Sequence, residues 1–230
     1  MDRTAIVTGG TGGLGSAVTR AFLDGGYRVV VPWVEASETE RLDPADGLEL
    51  LQADLFDEDS VADVVRRATA EPSAPLHAVV NLVGGYAEGG RVHETPIAEF
   101  EAQLSLNLRP TYLVTAAALP HLLERGDGAI VCVSTRAALR PFAGAAGYIT
   151  SKAAVLAFVD ALAAEYRKDG IRANAILPSI IDTPANRAAN PEGKHDTWVA
   201  PAEIARVIRF LCSDDAAPTS GAHIPVYGKA

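Results

Sequence analysis

Short apolar runs alternate along this chain with longer stretches whose apolar residues recur every three or four positions. The runs occupy residues 4–8, 28–33, 48–53, 77–83, 129–134, 172–177 and 223–226. The helix-period stretches occupy 15–23, 60–70, 97–104, 110–124, 148–168 and 202–212. Several runs are nearly unbroken Val, Ile and Leu, which is the composition of strands covered on both faces. Strands joined through helices pair in parallel, because the crossover carries the chain back to the starting edge. The pattern therefore predicts an α/β fold: a doubly wound, seven-stranded, mostly parallel sheet with helices on both faces. Pro201 suits the first turn of the last helix, and Gly170 suits the stop of the long one. Residues 72–75, Pro-Ser-Ala-Pro, read as a loop rather than a linker, and there is no internal repeat. One domain over residues 1–230 is expected. Residues 183–199 form a long irregular segment, the kind that often serves as a lid or binding loop.

Composition narrows the function. A net charge of −9 argues against nucleic acid as the main partner. No apolar run reaches the roughly 18–20 residues that span a bilayer, and no signal-peptide pattern precedes the first strand, so a cytoplasmic location and no membrane partner are expected. Cys132 and Cys212 read as buried thiols. His77, His93, His121, His195 and His223 have no ligand spacing, so no metal is expected.

Between the first strand and first helix stands Thr8-Gly9-Gly10-Thr11-Gly12-Gly13-Leu14-Gly15. Glycines permit a sharp turn and close backbone approach to a pyrophosphate, which the helix N-terminus attracts. The second strand ends at Pro32, Trp33 and Val34, with neither the acidic residue that would hold a ribose 2′-hydroxyl nor the Arg that would accept a 2′-phosphate. Glu35 and Glu38 follow and would repel a phosphate; Arg41 could return to meet one. NAD(H) or NADP(H) both fit, with a lean to NAD(H), and Trp33 would wall the adenine.

Tyr148 and Lys152 stand four residues apart on an expected helix, so they share a face. An ammonium beside a phenol favours the phenolate and lowers its pKa from about 10. That makes the Tyr a usable general acid or base.

With both motifs placed, the whole chain resembles the short-chain dehydrogenase/reductase family. The glycine pattern T-G-x-x-x-G-x-G reads Thr8, Gly9, Gly13 and Gly15. The acidic residue after the third strand matches Asp54, followed by Leu55. The N-N-A-G motif reads Asn81-Leu82-Val83-Gly84, altered at two places, and the helical active-site Asn is Asn107. The P-G-x-x-x-T motif reads Pro178 to Thr183 with Ser179 in place of Gly. The resemblance implies hydride transfer between a nicotinamide and a carbonyl or alcohol, that is, a carbonyl reductase or dehydrogenase. It also implies a Rossmann fold and a homodimer or homotetramer. It assigns Tyr148 as proton donor or base, Lys152 to the ribose, Asn107 to a water beside Lys152, and Ile181 and Thr183 to the nicotinamide carboxamide. The glycine loop with Thr11 and Leu14, together with Asp54, Leu55, Asn81, Gly84 and Pro178, completes the cofactor set.

The family's substrate-binding hydroxyl commonly lies thirteen positions before the Tyr, which gives Thr135; fourteen gives Ser134. Alternation points the two to opposite sides of an extended strand, and both remain open at this point, with Thr135 favoured. Tyr86, Arg136, Phe142 and Trp198 fall in loops at the strand ends and are candidate substrate contacts, with a small molecule as the partner. Segments around Val83–Ala87, Arg136–Leu139 and Leu177–Arg187 are similar to the dihydropteridine reductases, which gives quinonoid dihydropteridine reduction as an alternative. That branch has an acidic residue where this chain has Trp33, and no hydroxyl where it has Thr135. A non-catalytic nucleotide-binding regulator is the alternative of another class.

Overall fold

The computed structural model describes residues 1–229. Seven strands, β1 (Arg3–Thr8), β2 (Tyr27–Trp33), β3 (Leu48–Gln52), β4 (Leu76–Asn81), β5 (Gly128–Val133), β6 (Ile171–Pro178) and β7 (His223–Val226), form one sheet in the order β3-β2-β1-β4-β5-β6-β7. Every adjacent pair is parallel. The helices are α1 (Gly15–Asp24), α2 (Ala36–Thr39), α3 (Glu58–Thr69), α4 (Ile97–Arg125), α5 (Ala146–Tyr166), α6 (Pro184–Ala189) and α7 (Pro201–Leu211).

The strand runs are apolar throughout because each face has its own core. Ile6, Val30, Val79 and Ile130 pack with Val61 and Val64 of α3, Val114 of α4 and Val159 of α5. Their sequence neighbours Ala5, Val7, Val29, Val31, Val80 and Val131 pack on the other side with Val18 and Phe22 of α1 and Ile204 and Ile208 of α7. The period of two along a strand thus serves two layers at once. The chain leaves β3 to return beside β1 as β4, so the strand order reverses between β1 and β4. The loops after these two strands splay apart and leave a crevice at their carboxyl ends.

Local chemistry sets the boundaries. The Asp57 carboxylate accepts from Ser60 N at 2.8 Å and caps α3. Pro201 opens α7 as expected. Gly170, at φ +80°, follows the 3₁₀ turn Arg167–Asp169 that closes α5. The segment after Thr183 is less irregular than its composition suggests, since α6 and a 3₁₀ turn at His195–Thr197 lie within it.

The two helices expected at 97–104 and 110–124 are one, Ile97–Arg125, with Pro110 and Pro120 inside. Pro110 withholds the N–H that would bond the Leu106 carbonyl, a cost of roughly 3 kcal/mol. Burial of Asn107, Pro110, Thr111 and Val114 on one stripe outweighs it. α5 has the length and apolarity of a spanning helix, but Val155, Leu156, Val159 and Leu162 lie in the core against the sheet.

At the amino-terminal edge of the sheet Arg28 is buried under α3. Its guanidinium donates to Ala68 O at 3.2 Å, Arg67 O at 2.8 Å and Thr4 Oγ1 at 3.3 Å, and pairs with Glu49 at 2.7 Å. Burial pushes the Glu49 carboxyl up, yet hydrogen bonds from Arg28 and Arg67 outweigh it and hold the group below its ordinary value. One cation thus ties β1, β2 and β3 to the last turn of α3, where carbonyls collect partial negative charge. Arg28→Met leaves Glu49 with Arg67 alone and strips those carbonyls of their donor. Urea unfolding at neutral pH is expected to show a loss of about 3 kcal/mol, and a loss below about 0.5 kcal/mol would refute this account.

Candidate active site

The first wall of the crevice is the turn between β1 and α1. Gly9 sits at φ +63°, and a methyl group on Gly15 would fall 1.9 Å from the Gly9 carbonyl oxygen. The turn is thus closed tightly enough to start α1 directly over the end of β1. α1 has no side-chain cap and no acidic residue in its first turn. Among the described residues, no protein acceptor takes the N–H groups of Gly13 and Leu14. Free N–H donors at a helix N-terminus are what a pyrophosphate requires, so a dinucleotide fits this turn.

Thr8 does not offer its side chain to the crevice. Its buried hydroxyl accepts from Leu82 N at 3.1 Å, fastening the end of β1 to the chain beyond β4. Asn81 also departs from expectation. Strand alternation turns it to the face of Val79, where Nδ2 donates to Thr115 Oγ1 at 3.0 Å and Oδ1 has no donor. Its side chain therefore cannot touch a cofactor in this geometry. Leu55 likewise packs its side chain into the core.

At the outer end Trp33 closes β2, half-buried. Asp54 is exposed, its carboxylate accepting from Phe56 N at 2.9 Å. Thr11 Oγ1 donates to Glu38 at 3.1 Å, while Arg41 donates to Thr11 O at 3.1 Å and to Glu38 at 3.0 Å. Arg41 does return to the glycine turn, and it arrives paired with a carboxylate.

At the inner end, a crevice of about 810 Å³ is lined by Leu14, Gly84, Thr135, Tyr148, Lys152 and Pro178, among others. Tyr148 and Lys152 project from the first turns of α5. A methyl group on Gly84 would stand 2.5 Å from Asn107 Oδ1 and 2.8 Å from Lys152 Nζ, so these three groups converge and a side chain at 84 would displace both polar ends. Asn107 is held by Gly85 N, which donates to Oδ1 at 3.0 Å, while Nδ2 donates to Gln103 O at 3.0 Å. Thr183 caps α6, accepting from Asn186 N at 3.2 Å, and its methyl packs against Gly13. Ile181 bridges in parallel to Val199 and lines the crevice.

The two candidate hydroxyls part ways. Ser134 Oγ donates to Lys152 O at 2.7 Å and is committed to anchoring α5. Thr135 lies beside the phenol: burial pushes Tyr148 up, and the Thr135 side chain offsets part of this. The expected lowering of Tyr148 by Lys152 is not found. The ammonium is directed at the end of β5, donating to Val133 O at 3.1 Å, and burial lowers it to about 8.

Tyr86 packs edge-on against Tyr148, ring centroids 5.0 Å apart, and donates its hydroxyl to Glu88. Arg136, Phe142 and Trp198 all line the crevice, with Trp198 buried against His195. Arg140, Glu88, Ser179, Asn186 and Asn190 also line it and were not singled out in the sequence. Arg140 was findable, since it stands one helical turn after Arg136.

A buried Lys with little to bond to costs stability. Its folded value, about 8, lies below the ordinary 10.5, so the unfolded chain binds the proton more tightly. The full penalty stands below pH 8 and fades as the pH rises toward 10.5. Lys152→Met is therefore expected to be more stable than wild type by roughly 2–3 kcal/mol at pH 7. Denaturant melts should show that advantage shrinking by pH 9.5, and an advantage that grows with pH would contradict it.

The family model described as Enoyl-(Acyl carrier protein) reductase matches residues 9–228. The 2-(R)-hydroxypropyl-CoM dehydrogenase of Xanthobacter autotrophicus is 34% identical over 246 residues, covering 99% of this chain and 98% of its own. A solved structure of a short chain dehydrogenase/reductase family protein is 31% identical with a TM-score of 0.88, covering 99% of this chain and 98% of that one. The structure of ElxO with NADP bound has a TM-score of 0.91 at 24% identity over 99% of this chain and 98% of that one, a likeness of fold.

Proposed function

The chain belongs to the short-chain dehydrogenase/reductase family and is an oxidoreductase that works with a nicotinamide dinucleotide, and from that premise we propose that it reduces a ketone to a secondary alcohol with Tyr148 as proton donor. The observation that carries the reading is the Thr135 hydroxyl beside a buried, protonated Tyr148 in the crevice at the strand-order reversal.

The nicotinamide, when bound, supplies the hydride to the carbonyl carbon. Thr135 donates a hydrogen bond to the carbonyl oxygen and orients it. Tyr148 delivers the proton to that oxygen as negative charge develops on it. Lys152 would hold the ribose hydroxyls, and its ammonium, turned from Val133 O toward the phenol, would stabilise the resulting phenolate. Asn107 keeps the neighbouring backbone in place for a water that returns the proton. Gly13 and Leu14 hold the pyrophosphate, and Ile181 and Thr183 hold the carboxamide.

The pterin resemblance does not carry a second reading, because Trp33 and Thr135 both depart from that branch and the 2-(R)-hydroxypropyl-CoM dehydrogenase named above is by its name an alcohol dehydrogenase. A binding protein would need neither the phenol nor the buried Lys152 and its stability cost. Self-association through α4 and α5 is part of this proposal: Tyr112 is 54% exposed on their outer face, with Phe158 beside it at 5.7 Å between centroids.

Tyr148→Phe is expected to lower kcat by about 10²–10⁴ with dinucleotide affinity kept. Thr135→Ser should retain most turnover and Thr135→Val should lose about tenfold or more. Turnover by Tyr148→Phe within twofold of wild type would refute the assignment.

We also infer NAD(H) as the cofactor, because Glu38 places a carboxylate beside Thr11, where it suits a 2′-hydroxyl and repels a 2′-phosphate. NADH should exceed NADPH by about tenfold in kcat/KM, and Glu38→Gln should narrow that ratio. A wild-type preference for NADPH would sink the assignment.

A further inference from the structure

We propose that the substrate carries an oxyanion, a carboxylate or a sulfonate, and that Arg136 and Arg140 receive it. This deepens the reductase reading and rests on it for the reacting carbonyl.

Arg136 directly follows Thr135 and begins a 3₁₀ turn, Arg136–Ala138. The N–H groups of Leu139 and Arg140 both donate to Arg136 O at 3.0 Å, so Arg136 and Arg140 stand one helical turn apart on one face. Both line the crevice that holds Tyr148. Among the described residues, no carboxylate is within ion-pair distance of either.

This is an unusual use of charge. Two like charges at that spacing repel each other, and the chain has 29 acidic residues from which to draw a partner. The one carboxylate lining the crevice, Glu88, is engaged by the Tyr86 hydroxyl. Among the described residues the support of the Arg136 side chain is aromatic: its guanidinium carbon stands 5.2 Å from the centroid of the Tyr227 ring. Tyr227 is itself fastened by Ser179 Oγ, which donates to its carbonyl at 2.7 Å.

A guanidinium stacked on a ring keeps its in-plane N–H donors free. Those donors match an oxyanion in a bidentate arrangement. An anion bridging the two side chains removes their repulsion and pairs both. The crevice volume, about 810 Å³, is shared with the nicotinamide end of the cofactor, which limits the substrate to a small molecule. Its ketone would sit between Thr135 and Tyr148, and its anionic end a few atoms away, toward Tyr227.

The test pairs each anion with a neutral counterpart: laevulinate with methyl laevulinate, and acetone sulfonate with butanone. Initial rates are measured for wild type, Arg136→Gln, Arg136→Lys and Arg140→Gln, and calorimetry follows binding of the same compounds to the cofactor-loaded protein. Wild type is expected to favour the anion of at least one pair by about tenfold or more in kcat/KM. Arg136→Gln should raise KM for that anion by a similar factor and collapse the preference, Arg136→Lys should restore part of it, and Arg140→Gln should act in the same direction. The pair with the larger preference distinguishes carboxylate from sulfonate.

Neutral ketones taken as well as anions by wild type would overturn the proposal and leave the reductase reading standing. So would an Arg136→Gln variant that lowers all four compounds in the same proportion. If none is turned over with either dinucleotide, the reductase reading loses its support while calorimetry still decides. Anion binding that weakens in Arg136→Gln supports the site, and anions bound no better than their neutral partners overturn it.

Discussion

The contact between the Gly9 carbonyl and the first residue of α1 governs the rest of the molecule. Any side chain at Gly15 would collide with that carbonyl, so the turn closes only because glycine is there. Closure starts α1 over the end of β1 and aims its free N–H groups outward. The next step depends on Thr8, whose hydroxyl accepts from the backbone just past β4. Together these contacts fix the distance between the two loops that part where the strand order reverses. Tyr148 and Thr135 line the gap so created. The site is a property of the sheet's topology before it is a property of any catalytic side chain.

Two buried cations show how differently one chain can treat a charge. Arg28 has acceptors on several sides, including the Glu49 carboxylate and the last carbonyls of α3. Burial is therefore compensated, and the residue acts as a clasp. Lys152 has one protein acceptor, the Val133 carbonyl, and no carboxylate partner. Its remaining donors point into a crevice where ribose hydroxyls would complete the set. A group left short of partners in the free protein and supplied by the cofactor raises cofactor affinity at the expense of stability, a trade that belongs to active sites rather than to cores.

The sheet was legible in the sequence because its strands are covered on both faces, and unbroken Val, Ile and Leu leave little room for another reading. Strand ends moved by a residue or two, and β7 did not move. The α4 region was misread for a physical reason: Pro110 signals a break locally, while the buried stripe that overrides the signal depends on tertiary contacts. The motif positions of Asn81 and Thr8 did not reveal where their side chains go: strand alternation and a sheet-closing hydrogen bond turn both inward. Ser134 and Thr135 could be separated only by seeing that Ser134 Oγ is bound to Lys152 O. Arg140 carried no motif, and its place in the crevice follows from the helical turn that begins at Arg136.

The protonation of Tyr148 joins these elements to the direction of the reaction. Burial favours the neutral phenol, and Thr135 offsets this in part. Tyr86 packs edge-on against the same ring and donates to Glu88. Meanwhile the Lys152 ammonium, the group that would favour phenolate, faces the end of β5. Burial thus keeps the proton on Tyr148 at neutral pH, which is the state the proposed reduction needs when its ketone arrives. Oxidation of an alcohol needs the phenolate at the start, and here that requires Lys152 to be brought to bear on the phenol first. Under the proposed mechanism this geometry favours reduction, and the preference follows from the orientation of the Lys152 ammonium rather than from the identity of the Tyr–Lys pair.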